Sequence, residues 1–467
     1  MSRYFTYRSR DDLEEDIRAR GLTIDLATGI DGLLSPISIR GRRAGNRLAV
    51  QPMEGCDGAL DGLPGELTFR RWERFGAGGA KLIWGEATAV VPEGRANPRQ
   101  LLVDERTAPA LGELVKRTRT AHKDRFGRDH DLLVGLQLTH SGRFSHPNPL
   151  VPHHASPLDA VKKIPPHYPV LTDAELERLE DRYLLAVTRA AAAGFDFVDI
   201  KQCHGYLLNE LLGSRDRQGP YGGGFEGRTR FVRNVTEKIR SKVGENLLIA
   251  TRLNVFDGPP FLKRADGIGE PVVEGRYRWG FGTDFEAPTE PDLGEPLRLI
   301  AQLRDAGVSL VNVTMGSPYW NPHIGRPFER PPVDGYWPPE HPLVGVQRHF
   351  ELTEAVQRSF PDLAVVGSGY SWLRHYAAVA GEANVRAGRV SIVGLGRGAI
   401  AYPDFAADLM ERGEMVDRKA CIGVSYCTAL MRAKNNYLGQ FPVGCVPRDP
   451  LFAEQFKLMD AHLASSH

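Results

Sequence analysis

Eight times along the chain, a short apolar run that reads as a strand precedes a longer stretch with helical spacing. Parallel strands need a crossover of a dozen residues or more, usually a helix, so this alternation predicts a parallel sheet of the α/β class. The strands are expected at residues 47–53, 80–90, 131–142, 197–201, 246–254, 309–316, 363–369 and 389–398. The helices between them are expected near 65–75, 108–123, 172–193, 227–242, 295–306, 350–359 and 371–380. Eight such units predict a (β/α)8 TIM barrel with a C-terminal helical extension. The divisions expected are a charged lead-in at 1–45, the barrel at 46–413 and the helical tail at 414–467. Two long connections stand out, a Pro/His-rich loop at 143–171 and an irregular insertion at 257–293. Connections of that length are usually functional or disordered.

The fourth strand and the loop after it carry the densest chemistry. Val198 and Ile200 share one face of the strand; Phe197, Asp199 and Lys201 share the other. With the apolar face on the outer helices, Asp199 and Lys201 point into the barrel. Lys201 then stands at the strand's carboxyl end, with His204 and Tyr206 following in the loop where barrel enzymes keep catalytic groups. Buried lysines are rare unless paired, so Lys201 and Asp199 together indicate a site. A solvated loop with an incidental lysine is the plainer alternative. Every expected strand ends in a polar residue: Gln51, Glu86, Gln137, Lys201, Arg252, Thr314, Ser368 and Arg397.

Charge narrows the function classes. The chain has 59 Lys and Arg against 58 Asp and Glu, so no basic footprint argues for nucleic acid or an anionic membrane surface. No apolar run is long enough to span a bilayer, and the charged first residues lack a signal peptide's apolar core. Five cysteines, an odd and unevenly spaced set, favour a reducing, cytoplasmic setting.

The turns VGSGYS at 366–371 and GLGRG at 394–398 follow the last two strands. Glycine lets backbone N–H groups approach an anion, and barrels commonly hold phosphate in these two loops. Arg397 would add charge-assisted hydrogen bonds. Tight strand-to-helix turns also need glycine. Arg252 can neutralise an anion in the barrel mouth or pair structurally with Asp199 or Glu86. Gln137 both donates and accepts, which suits a heteroaromatic ring edge or a polar core contact. Cys421, Cys427 and Cys445 cluster in the tail. Val424 stands where Cys-x-x-Cys-x-x-Cys would need a thiol, and no metal is expected.

Five stretches in order resemble the old yellow enzyme family of FMN-dependent NADH:flavin oxidoreductases and ene reductases. They are NRLAVQPM, EATAVVPEGR, GLQLTHSGR, HGYLLNELL with RQGPYGGGFEGRTRF, and VGLGRGAIAYPDF, and the resemblance runs from about residue 46 to 413. It implies FMN at the barrel mouth, reduced by NADH or NADPH. Pro52 and Met53 would offer backbone contacts, Ala87 would lie beside the ring, and Gln137 would bond the pyrimidine edge. Arg252 would sit near N1 and C2=O, and Gly367, Gly369, Gly396 and Arg397 would cradle the phosphate. His204 matches one of the family's two substrate-oxygen donors and Tyr206 its proton donor. Lys201 replaces the first donor, usually histidine, and makes a stronger anion site. Glu54, Gly55 and Cys56 stand where the family has a redox-tuning aromatic residue or cysteine. Larger members add an iron–sulphur cluster and a second dinucleotide domain. The early end of this chain and Val424 lead us to expect neither.

The expectation is an ene reductase working by ping-pong hydride transfer on an activated C=C bond. Lys201 and His204 polarise the substrate oxygen, and Tyr206 supplies the proton. One rival is a flavin dehydrogenase or demethylase oxidising an amine, alcohol or cyclic substrate; another is a flavin-free lyase or isomerase using Lys201 as a Schiff base. Tyr319, Trp320, Tyr336, Trp337 and the 257–293 insertion are expected to form a lid, a specificity wall or an oligomer contact. The expected partner is a small molecule; self-association rests on the family's frequent dimers and tetramers.

Overall fold

In the computed structural model, which describes residues 2–465 except 274, 333 and 434–439, eight parallel strands close into a barrel. They are β1 (Leu48–Val50), β2 (Leu82–Ala89), β3 (Leu133–Thr139), β4 (Phe197–Ile200), β5 (Leu248–Asn254), β6 (Val308–Thr314), β7 (Ala364–Gly367) and β8 (Ile392–Leu395). Each pairs with its neighbours in the chain, and β8 closes on β1 through Val393–Leu48 and Leu395–Val50. Seven crossover helices surround them: α1 (Glu66–Ala77), α2 (Ala108–Phe126), α3 (Asp173–Ala192), α4 (Phe225–Val243), α5 (Gly294–Asp305), α6 (Pro342–Ser359) and α7 (Ala377–Arg386).

Strand alternation sorts the core into two shells. Phe197 joins Trp84, Leu133, Leu248 and Leu310 inside the barrel. Val198 and Ile200 join the larger shell between strands and helices. The antiparallel hairpin Ile37–Ile39/Arg42–Ala44 adds Ile39 and Ala44 to the inner shell, plugging the end where the strands begin. The carboxyl-terminal mouth stays open onto a cavity.

Several elements depart from the sequence reading. β1 stops at Val50, because Pro52 has no N–H to continue the ladder. β4 ends one residue before Lys201. α6 begins at Pro342, eight residues early; proline is suited to a first helical position, and His341 Nδ1 accepts the Leu343 N–H at 3.3 Å. A 3-10 turn, Tyr370–Tyr376, precedes α7, with Arg374 at φ 55°. The 143–171 loop holds a helix, Ser156–Lys162, and the 257–293 insertion a hairpin, Phe261–Lys263/Gly269–Pro271. The charged lead-in buries Phe5, Leu13 and Ile17 in the main core. In the tail, Leu430, Phe441, Val443 and Phe452 form a cluster with Cys56, and the Val443 N–H donates to Gly55 O at 2.7 Å. Residues 434–439 and the last two of the tail lie outside the described residues. No described helix is long and apolar enough to cross a membrane.

Gly135 faces inward on β3, and a Cβ there would lie 2.1 Å from the Phe197 ring. Gly112, within α2, has its nearest neighbour at 3.5 Å. Urea denaturation should therefore show Gly135→Ala destabilising by about 1–3 kcal/mol and Gly112→Ala stabilising by about 0.5–1 kcal/mol.

Candidate active site

The strands' carboxyl ends open onto a cavity whose floor is set by Asp199. Asp199 Oδ2 accepts the Trp84 Nε1–H at 2.7 Å and a Gln137 Nε2–H at 2.6 Å. Its Oδ1 accepts the Arg252 backbone N–H at 2.6 Å. One buried carboxylate thus joins β2, β3, β4 and β5. Burial pushes its pKa up, and these donors act against that. With Nε2 committed to Asp199, Gln137 has its carbonyl oxygen to offer the cavity.

Lys201 is not the partner of Asp199. The two share a face but sit on successive inward rungs, and Trp84 and Gln137 take the carboxylate. Lys201 Nζ instead lies 3.6 Å from the centroid of the Tyr206 ring, a cation–π contact. Arg252 pairs with neither suggested carboxylate: its Nη1 makes a long 3.5 Å contact to Pro52 O, and its buried Nε has no hydrogen-bond partner. Glu86 faces away from the mouth. The β2 register shifts between Gly85 and Ala87, which returns Ala87 to the cavity and turns Glu86 toward α1. There it binds Arg71, Trp72 Nε1 at 3.2 Å and the Gly55 N–H at 2.9 Å.

Pro52, Met53, Ala87, Gln137, Arg252, Gly369, Gly396 and Arg397 all line the cavity, as do Lys201, His204 and Tyr206. Gly367 lies lower, within β7, where its carbonyl accepts the Gln51 Nε2–H at 3.2 Å. His204 Nε2 is 3.3 Å from Thr314 Oγ1. Burial, with the charges of Arg252 and Lys201 adding to it, holds the His204 pKa well below its usual value. Burial likewise lowers Lys201 and Arg252. Tyr206 is raised well above its usual value, first by burial and then by Tyr319, whose hydroxyl is 2.8 Å from its own.

Tyr319 lines the cavity and stacks on Phe144 at 3.9 Å. Trp320 packs behind it with Phe144 and Tyr206. Tyr336 lies elsewhere, its hydroxyl 2.7 Å from His323 Nδ1, and Trp337 lies under Arg3. No residue of 257–293 is among the described lining residues. The insertion is held by Asp257, which accepts from Asn209 Nδ2 at 3.0 Å, Asn254 Nδ2 at 2.7 Å and the Phe281 N–H at 2.8 Å.

Some lining residues gave no sequence signal. Arg326 and Trp372 come from the turns after β6 and β7, and Thr428, Met431 and Arg432 from the tail. Position after a barrel strand was the clue available for the first two. Cys421, Cys427 and Cys445 line a small separate cavity with Val424 beside Arg397. Burial pushes the Cys421 and Cys445 thiols up. No group of three metal-ligating side chains occurs among the described residues.

Residues 32–264 match the sequence model of the NADH:flavin oxidoreductase / NADH oxidase family. Over this stretch, close to half of its length, the chain is of this family. An NADPH dehydrogenase of Geobacillus thermodenitrificans is 29% identical over 294 residues, 61% of this chain and 73% of that relative. A second NADPH dehydrogenase, from a Geobacillus species, is 31% identical over 240 residues and is 62% covered. Among solved structures, the old yellow enzyme homologue of Zymomonas mobilis superposes with a TM-score of 0.57 at 20% identity, over 83% of this chain and 94% of that one. A 2-naphthoyl-CoA reductase gives 0.66 at 18% identity, over 91% of this chain but 58% of that one. At these identities the structural likenesses establish the fold. The chain spans less than two thirds of several of the proteins it resembles.

Burial pushes the Asp257 carboxyl up to about 6, against the three donors that favour its ionised form. A carboxyl raised on folding contributes stability that is complete below its unfolded pKa of about 4 and is lost as pH rises through the folded value. Denaturation midpoints should therefore show wild type losing stability relative to Asp257→Asn between pH 4 and 7. A constant difference would remove this assignment.

Proposed function

We propose that this protein is an FMN-dependent NAD(P)H oxidoreductase that reduces an activated C=C bond, such as that of an α,β-unsaturated carbonyl compound. The observation that carries this reading is a strongly cationic cavity with aromatic walls. Lys201, Arg252, Arg326, Arg397 and Arg432 line it, against the single acid Glu54 among the described lining residues. FMN fits the donor set. Arg252 Nε and Arg397 Nη1 are buried without hydrogen-bond partners, and each awaits an acceptor. Gly369 and Gly396 line the cavity, and the left-handed backbone of Gly369, where a Cβ would fall 2.7 Å from His349, requires glycine.

When bound, FMN supplies the two-electron carrier between NAD(P)H and the oxidant. Gln137 would hold its pyrimidine edge, Arg252 would balance negative charge near N1 and C2=O, and Arg397 would take the phosphate. Pro52, Met53 and Ala87 would flank the ring. Reductant and oxidant would both reach the flavin through this mouth, which supports a ping-pong sequence.

Lys201 and His204 receive the substrate's carbonyl oxygen. His204, held neutral, donates an N–H, and Lys201 contributes a compact ammonium charge when protonated. As hydride reaches the β-carbon, the π electrons move toward oxygen and these donors hold the enolate. Tyr206 stays protonated because its pKa is raised, so its O–H can supply the proton to the α-carbon. Tyr319, in contact with it, can replace that proton. The surplus of cations disfavours a protonated amine as substrate, which weighs against the amine-oxidising rival. Cys56, Cys203, Cys421, Cys427 and Cys445 form no disulfide among the described residues, which suits a reducing, cytoplasmic setting.

An anaerobic visible spectrum, taken before and after adding a simple phenol, tests the reading. Flavin bands with a new long-wavelength charge-transfer band are expected. His204→Ala should keep the flavin bands while weakening phenol binding about 10- to 100-fold. Absence of flavin after reconstitution with FMN, with borohydride trapping of a carbonyl compound on Lys201, would favour the Schiff-base enzyme instead.

A further inference from the structure

Four buried N–H donors around one end of the cavity have no acceptor. They are Nε and Nη2 of Arg326, Nη1 of Arg397 and Nε1 of Trp372. Buried donors are almost always satisfied by protein, water or ligand, and four lining one cavity fit a ligand rich in acceptors. Two of the three side chains are guanidiniums, so that ligand is anionic. Arg326 has no ion-pair partner among the described residues; instead burial, then Arg397, then Arg432 pull its pKa down to about 9. Both arginines are otherwise fixed. Arg397 Nη2 donates to Pro327 O at 2.6 Å, next to Arg326 in the chain. Arg326 Nη1 donates to Thr428 Oγ1 at 2.6 Å, which ties it to the tail. Gly369 and Gly396 line the cavity beside them.

We propose that Arg326 and Trp372 join Arg397 in a three-sided clamp for a phosphate monoester, with Thr428 as the positioning residue that aims Arg326. The source of that phosphate, resting on the flavin reading above, is FMN itself. A tetrahedral dianion accepts from several directions at once, as two guanidinium forks and an indole N–H demand, whereas riboflavin offers a neutral hydroxyl there. The clamp therefore selects the mononucleotide over the unphosphorylated vitamin. Because Thr428 belongs to the tail, cofactor affinity also reports tail docking.

The test uses full-length protein freed of flavin and titrated with FMN and with riboflavin, following flavin fluorescence. Wild type should prefer FMN. Arg326→Gln should reduce FMN affinity about 10- to 100-fold and leave riboflavin affinity unchanged. Trp372→Phe, which removes the N–H and keeps the ring, should give a smaller loss of the same kind. Thr428→Val should act in the direction of Arg326→Gln and less strongly. Inorganic phosphate should compete with FMN in wild type and less well in Arg326→Gln. Equal loss of FMN and riboflavin affinity in Arg326→Gln and Trp372→Phe would overturn the clamp in favour of a structural role. Unchanged flavin binding with loss of an NADPH-over-NADH preference would overturn it by assigning the guanidinium to the reductant's phosphate. Wild type binding neither flavin would instead overturn the cofactor reading itself.

Discussion

A single buried carboxylate organises the mouth of this barrel. Asp199 accepts the indole N–H of Trp84, the amide of Gln137 and the backbone N–H of Arg252. Those donors belong to β2, β3 and β5, and the acceptor to β4. A carboxylate without solvent is costly unless its oxygens are hydrogen-bonded, so these contacts are mutually enforcing. Moving any one of the strands would leave the acid unsatisfied. The same contacts set the rotamer of Gln137 and the height of Arg252 in the mouth, so the geometry of the candidate site is inherited from the core beneath it.

How much of this was legible in the chain follows from where a period exists. On β4, strict alternation makes Phe197 and Asp199 inward and Val198 and Ile200 outward, as found. On β3, Leu133 and Gln137 face inward by the same logic. On β2 the logic fails at one residue. The register shift between Gly85 and Ala87 reverses the phase, so Glu86 leaves the mouth and becomes a partner of Arg71. Nothing in the local pattern announces that extra residue. Pairing was a separate failure: a shared face does not imply contact, and Lys201 found the Tyr206 ring while Asp199 found Trp84 and Gln137. Arg326, Trp372 and Thr428 come from turns and tail, where no periodicity says which way a side chain points.

The electrostatic character of the cavity follows from this arrangement. Acids near the mouth are drawn off into structural work, Asp199 beneath it, Glu86 and Asp57 around Arg71, and Asp257 under the insertion. Guanidiniums are left facing inward with incomplete partners. The family relationship and this charge pattern converge on an anionic, acceptor-rich cofactor, though they rest on unrelated observations.

Thr428, Met431 and Arg432 line the cavity, yet they are made after all eight strands. The sheet closes through the pairing of β8 with β1, which uses none of these three residues. The wall of the cavity does use them, so a barrel can be shut while its mouth is incomplete, and docking of the tail sets the final width of the entrance.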